Sequence, residues 1–113
     1  MKIRTGIDIV EFDRFKERVN NPDFLKKIFT DNELHNKQVE SLAGTFALKE
    51  AFFKATQIKI KNWKDIEIKK SRMGKPIIDF LNLNLEKNIH SVDCSVSHEN
   101  KMVVAIVVLL LKS

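Results

Sequence analysis

The sequence predicts an α+β domain with a mainly antiparallel sheet that carries its helices on one face. Alternating residues typical of strands occur near the N-terminus and again through the second half, whereas residues 12–56 show helical spacing. The last two strand-like runs are separated only by the four residues HENK, as expected for an antiparallel hairpin. The 113 residues suit one domain spanning 1–113.

The first predicted strand is followed at once by a helix. Residues 3–10 alternate with a period of two, which indicates a strand. The run EFDRFKERV then places Phe12, Phe15 and Val19 at helical spacing. The residues Asn-Asn-Pro at 20–22 are expected to end this first helix.

Further helices are predicted before the middle of the chain. FLKKIF at 24–29 has the pattern of a short helical segment. Thr30 and Glu33 form a capping box, in which each side chain bonds the backbone amide of the other, and a helix over about 31–38 should follow. A longer helix is predicted over about 41–56.

The second half of the chain changes to strands. Residues 73–76, Met-Gly-Lys-Pro, read as a turn, and residues 81–87 are compatible with either a short helix or a loop. The predicted strands are 65–71, 76–80, 91–97 and 102–111.

The long helix is apolar around nearly its whole circumference, so it should be buried. Between positions 42 and 55 its charges are Lys49, Glu50 and Lys54. Glu50 and Lys54 are four residues apart and therefore share a face. An exposed pair of this kind contributes only about 0.3–0.5 kcal/mol, but on a buried helix the pair suggests a site.

The composition excludes several classes of protein. With one cysteine, Cys94, the chain cannot form an internal disulfide, and the apolar run around this residue predicts a buried thiol. No signal peptide is evident, and the longest apolar run is about half of the ~20 residues of a membrane-spanning helix. A soluble cytoplasmic protein without a membrane partner is the expectation.

The net charge of +5 leaves open a second class of function, a small basic nucleic-acid-binding domain. Against it, the strands lack exposed aromatic residues interleaved with basic ones, and the phenylalanines occur at core spacing. We therefore expect no nucleic-acid partner.

Four polar side chains could together form a phosphate-handling site. Asp8 lies within an apolar strand, and His98 lies at the hairpin turn. Two carboxylates from different elements, Asp8 and Glu50, are a minimal Mg²⁺ site, completed by water and phosphate oxygens. Lys54 would then contact a phosphate, which predicts metal-assisted attack on a phosphoanhydride.

Several motifs now resemble, in order and spacing, the small bacterial holo-acyl-carrier-protein synthases, which are 4′-phosphopantetheinyl transferases. The resemblance spans about residues 3–108. The motifs are GIDIVEFDRF (6–15), IFTDNE (28–33), LAGTFALKEAFFKA (42–55), DIEI (65–68), GKP (74–76) and SVSHE (95–99).

The resemblance implies a function, partners and an assembly. Such enzymes move the 4′-phosphopantetheine arm of coenzyme A onto a serine of apo-acyl carrier protein and release adenosine 3′,5′-bisphosphate. They need Mg²⁺ and are usually homotrimers with active sites between subunits. Two groups could accept the proton of the serine, a metal-bound water or a carboxylate. We favour a carboxylate–water relay.

The resemblance also assigns roles to residues. Asp8 and Glu50 match the metal ligands, and they form the catalytic set with Lys54, which also contacts phosphate. Around the nucleotide it places the coenzyme A contacts Pro76, Ser95, Ser97 and His98, and we also expect Lys49 to contact coenzyme A. On the first helix it implies a contact with the carrier protein by Arg14, and the positive charges of Lys16 and Arg18 predict that they join it in meeting an acidic partner.

Two departures from the family pattern concern coenzyme A. Thr45 stands where the family has Arg in LAG-R-F, and Lys49 or Lys37 is the expected substitute, although Lys cannot reproduce a bidentate Arg contact. The family's Gly-rich turn is replaced at 56–59 by Thr-Gln-Ile-Lys. These departures motivate a third interpretation, an inactive trimeric relative.

Overall fold

The computed structural model describes residues 1–35 and 38–113 and confirms the predicted α+β class. The strands are β1 (Lys2–Glu11), β2 (Ile66–Lys70), β3 (Pro76–Phe80), β4 (Ile89–Glu99) and β5 (Met102–Leu111). The helices are α1 (Phe12–Val19), α2 (Pro22–Ile28), α3 (Asp31–His35), α4 (Val39–Thr56) and α5 (Leu83–Glu86), and Trp63–Asp65 form a 3₁₀ turn.

The described strands form two antiparallel sheets. Strands β1, β5 and β4 lie side by side in that order, so β5 is the central strand of the larger sheet. Strands β2 and β3 form a separate hairpin. The predicted hairpin of the last two strands is confirmed, with Glu99 paired to Met102.

Helix α4 covers one face of the larger sheet, and β1 approaches it at backbone distance. Ala43, Ala47, Ala51 and Ala55 are fully buried along this helix. Gly6 lies so close that a Cβ there would overlap the carbonyl oxygen of Ala51. The approach fixes β1, and with it Asp8, against the second half of α4.

The other face of the larger sheet is apolar and uncovered. Ile3, Ile7 and Ile9 of β1 are each at least 60 % exposed, and Ile106 and Val108 of β5 continue the surface. Residues paired across the strands share a face, so Ile7 lies beside Ile106. We call these five residues the outer sheet face. Within the described residues, no helix has the length and hydrophobicity needed to cross a membrane.

The helix ends follow the sequence with small differences. The capping box is confirmed, because the amide of Thr30 donates to Glu33 at 2.9 Å and that of Glu33 to the Thr30 hydroxyl at 3.2 Å. Helix α3 ends at His35, and positions 36 and 37 lie outside the described residues. The ambiguous segment 81–87 contains the short helix α5.

Candidate active site

Asp8, Glu50 and Lys54 come together where β1 crosses α4. The side chain of Asp8 points inward from β1 and is buried. Its Oδ1 accepts a hydrogen bond from the Lys54 ammonium at 2.8 Å, and the same ammonium donates to the carbonyl oxygen of Ile7 at 3.1 Å. The ammonium group of Lys54 is therefore held against β1, although much of its side chain is exposed to solvent.

The second oxygen of Asp8 has no donor. Oδ2 is buried and receives no hydrogen bond from any described residue. A buried acceptor left without a donor costs free energy, about 1–3 kcal/mol. A buried carboxylate oxygen of this kind is suited to a cation.

Glu50 is the second carboxylate. Partial burial, then the hydrogen bond and the charge of Asp8, raise the pKa of Glu50 to about 7, while Lys54 and Arg18 act in the opposite direction. Two carboxylates within hydrogen-bonding reach cannot both ionise freely. Near neutral pH Glu50 can therefore take up either a proton or a cation.

The two carboxylates fit a magnesium ion better than a softer metal. The described residues contain no group of three or more His, Cys, Asp or Glu side chains that could hold a metal. Mg²⁺ commonly takes one or two carboxylates and fills the remaining positions with water and phosphate oxygens. Asp8 and Glu50 would hold such an ion.

A groove whose charged lining is Glu11, Arg14, Arg18 and Glu50 leads from Glu50 to helix α1. Its volume is about 320 Å³. The guanidinium of Arg18 lies over the ring of Phe24, 4.3 Å from its centre. Lys16, which is also exposed, lies two residues from either arginine and therefore on another side of the helix.

Pro76 and His98 line a different groove, about 450 Å³ in volume, together with Gly44 and Thr45 of α4. The imidazole of His98 stacks on Phe12, with ring centres 6.3 Å apart and planes 18° apart. Packing against an aromatic ring restricts the orientation of the imidazole.

The family relationship follows from comparison with known proteins. The model of the 4′-phosphopantetheinyl transferase superfamily matches residues 4–107. The holo-[acyl-carrier-protein] synthase of Halalkalibacterium halodurans is 40 % identical over 96 % of this chain and 96 % of its own length. The synthase of Caldicellulosiruptor bescii is 39 % identical over 96 % of this chain and 98 % of its own length.

The chain belongs to the holo-[acyl-carrier-protein] synthases of the 4′-phosphopantetheinyl transferase superfamily. Family membership makes it an enzyme. This replaces the alternative hypothesis of a small nucleic-acid-binding domain.

Solved structures of holo-[acyl-carrier-protein] synthases share the fold. The Helicobacter pylori enzyme, solved in complex with coenzyme A, superposes with a TM-score of 0.83 at 33 % identity, covering 94 % of this chain and 99 % of that chain. The Bacillus anthracis enzyme, in complex with CoA (3′,5′-ADP), gives a TM-score of 0.80 at 33 % identity, covering 97 % and 96 %.

Within this holo-[acyl-carrier-protein] synthase, Ser95 and Ser97 point away from His98. Side chains alternate along β4, and Ser95 is paired to Ile106 of the outer sheet face. Ser95 also lines a cavity of about 540 Å³ with Pro76. The predicted coenzyme A contacts thus lie on two faces of the sheet.

Lys49 does not fit the predicted role of a coenzyme A contact. Its side chain is fully buried and forms an ion pair with Glu33 at 2.8 Å. The ammonium also donates to the carbonyl oxygens of Ile28 at 2.8 Å and Trp63 at 3.2 Å. All three donors of the ammonium are used, so Lys49 neither reaches the grooves nor substitutes for the missing arginine.

The other expected substitute, Lys37, lies outside the described residues. Sequence reasoning missed a third lysine, Lys70, which lines the groove of His98 and Thr45. It is exposed and, among the described residues, forms no ion pair. The pairing of β2 with β3 places it there, which no motif could indicate.

Proposed function

We propose that the protein transfers the 4′-phosphopantetheine arm of coenzyme A to a serine hydroxyl of apo-acyl carrier protein. The reaction depends on Mg²⁺ and releases adenosine 3′,5′-bisphosphate. The observation that carries the proposal is the donorless Oδ2 of Asp8 beside Glu50, whose pKa is about 7. The relatives' names, and the coenzyme A in two solved relatives, support the two substrates.

The chemistry is a displacement at phosphorus. The serine oxygen attacks the β-phosphorus of coenzyme A, and the bond to the bridging oxygen breaks. Mg²⁺ held by Asp8 and Glu50 would neutralise charge on the phosphoanhydride oxygens and on the leaving group. Lys54, already oriented by Asp8 and the Ile7 carbonyl, adds a positive charge at the same position.

The serine proton needs an acceptor. We assign it to a relay from the serine through a water molecule to a carboxylate of the Asp8–Glu50 pair.

The carrier protein would dock on helix α1. Arg14 and Arg18 share one side of the helix and line the groove that ends at Glu50. An acidic partner guided onto this side would present its serine to the carboxylates, and exposed charges chiefly raise the rate of such encounters. Lys16 lies on another side, so we leave it out of the docking surface.

The active site would form between copies of this chain in a homotrimer. Glu50 and Lys54 line one cavity, whereas Pro76 and His98 line another. The outer sheet face supplies the apolar surface that an association would bury. A neighbouring subunit seated there would bring a second set of nucleotide contacts towards the metal pair.

The decisive test is a mass-shift assay with purified protein, coenzyme A, Mg²⁺ and apo-acyl carrier protein. The carrier should gain the mass of one phosphopantetheine, and chelation of the metal should prevent the gain. Glu50→Gln should reduce the rate about 100-fold or more, because a ligand of the ion is lost. Full activity of this variant would refute the ligand assignment, and no gain with the wild type would favour the inactive relative.

The docking surface is tested separately by Arg14→Glu. Reversing this exposed charge should raise the KM for the carrier protein while the affinity for coenzyme A stays near normal. Lys16→Glu is the matched control, because Lys16 is on the same helix but outside the groove. An equal loss of affinity for both substrates would contradict the docking role.

A further inference from the structure

The chain reverses direction directly after α4, although the segment contains no glycine. Gln57 ends the helix in the left-handed conformation, with φ of 60°, and its amide donates to the carbonyl oxygen of Lys54 at 3.2 Å. The Thr56 hydroxyl then accepts from the amide of Ile58 at 3.2 Å. Helix α4 is thus capped by a residue in the left-handed conformation, which is sterically unfavourable for a residue that has a Cβ.

The reversal brings residues 58–60 back beside the metal pair. Ile60 packs against the core, and Ile58 and Ile60 close a cavity of about 270 Å³. Glu50 and Lys54 line the same cavity, and Lys59 completes its charged lining. The segment thus adds a second ammonium group beside the residues that handle phosphate.

Lys59 is not neutralised by the protein. Among the described residues it forms no hydrogen bond or ion pair, and its side chain is exposed. Lys54, in contrast, already donates to Asp8 and to a carbonyl oxygen. The cavity therefore contains one lysine committed to the strand and one free to meet a ligand.

We propose that Lys59 binds the diphosphate of coenzyme A, opposite Lys54. This inference rests on the proposed function. A diphosphate diester carries two negative charges at neutral pH, and Lys54 is already paired with Asp8. With Mg²⁺ balanced by Asp8 and Glu50, Lys54 alone leaves one charge of the diphosphate unbalanced. Lys59 supplies the matching positive charge, in a position where the chain has no glycine amides to offer.

The positions of the two cavities favour the diphosphate, rather than another anionic group of coenzyme A, as the ligand of Lys59. The 3′-phosphate is the other anionic group of coenzyme A. Pro76, His98 and the free Lys70 line the separate groove that can accept it. Lys59 lies with Glu50 and Lys54, where the bond to phosphorus would break.

The experiment measures equilibrium binding by calorimetry, with Mg²⁺ present and no carrier protein. The protein variants are the wild type, Lys59→Met and Lys61→Met, and the ligands are coenzyme A and 3′-dephospho-coenzyme A. Lys61 is the matched control, because it is an exposed lysine two residues further on the same segment and outside the cavity lining. Methionine keeps the length of the side chain and removes only the charge.

Lys59→Met should weaken the binding of both ligands by about tenfold, as expected for a lost contact to a charged group. The loss should shrink at high salt, and Lys61→Met should bind as the wild type does. A loss confined to coenzyme A would assign Lys59 to the 3′-phosphate, and unchanged binding of both ligands would also overturn the inference. If the wild type itself bound neither ligand, the proposed function would fail instead.

Discussion

Helix α4 contributes to two clusters that each contain two carboxylates and one lysine. The clusters differ in how many hydrogen bonds their carboxylate oxygens accept. The Lys49 cluster consists of Thr30, Glu33, Lys49 and Glu67. The Asp8–Glu50 pair lies elsewhere on the helix with Lys54. Each cluster contains buried charge.

In the Lys49 cluster the protein supplies a donor to every carboxylate oxygen of Glu33. One oxygen accepts from Lys49 and from the amide of Thr30, and the other from the amide of Ile68 at 2.7 Å. Glu67 accepts from the Thr30 hydroxyl at 2.6 Å. Burial lowers the pKa of Lys49, and the charge of Glu33 opposes this.

The Asp8–Glu50 pair is the opposite case. One oxygen of Asp8 lacks a donor, and burial together with the neighbouring Asp8 raises the pKa of Glu50 to about 7, which disfavours its negative charge. The difference teaches that buried charge alone does not mark a functional site. What marks it here is an acceptor that the folded chain leaves for something else to satisfy.

The strongest test of this comparison is to remove the lysine of the Lys49 cluster. Lys49→Met should lower the free energy of unfolding by about 3–5 kcal/mol, because Glu33 would be buried without its counter-charge. Urea denaturation measures the change. Lys75→Met is the control, since its exposed ion pair with Asp93 should contribute about 1 kcal/mol or less. A Lys49→Met protein as stable as the control would show that this cluster is not structural.

The pair itself can be tested by pH. Protons and Mg²⁺ compete for Glu50, so Mg²⁺ should bind about tenfold more weakly at pH 6 than at pH 8. The sign for stability follows from the raised pKa. Without metal, the contribution of protonated Glu50 is complete below its unfolded pKa near 4.5 and is lost as the pH rises through 7.

Thermal melts with and without Mg²⁺ across this range measure both effects. The stabilisation by Mg²⁺ should grow from pH 6 to pH 8 in the wild type and be small and nearly constant in Glu50→Gln. A stabilisation that did not depend on pH in the wild type would place the ion away from Glu50.

The smallest expected effect concerns the cap that follows the pair. Gln57→Gly should raise the free energy of unfolding by about 0.5–1 kcal/mol, because glycine adopts a φ of 60° without steric strain. The control is Thr56→Gly, which should destabilise, since Thr56 is still helical and bonds the carbonyl oxygen of Phe53 at 2.8 Å. Destabilisation by both changes would mean that the Gln57 side chain contributes more than the strain costs.

Local sequence patterns predicted the helices, the strands and part of the candidate site. Period-two runs gave the strands, and the capping box of Thr30 and Glu33 is present as predicted. The meeting of Asp8 with Lys54 follows the family motifs. These features depend on short-range spacing or on motifs that can be matched directly.

What the sequence could not reveal depends on contacts between distant segments. Lys49 and Glu50 are neighbours in the motif, but consecutive helical residues point about 100° apart, so they reach different sides of α4. The partners of Lys49 come from α3, from the end of α2 and from the 3₁₀ turn. Lys59 likewise reaches the cavity through a chain reversal at Gln57, which forms without glycine.

The missing side chain at position 6 has a consequence for how freely this enzyme can change. Ile7 and Ile9 face outward, so their side chains do not set the span between the two carboxylates. Any substitution of Gly6 would push the strand away from Ala51 and widen that span. A library that randomises position 6 should therefore return active clones that nearly all have hydrogen as the side chain there.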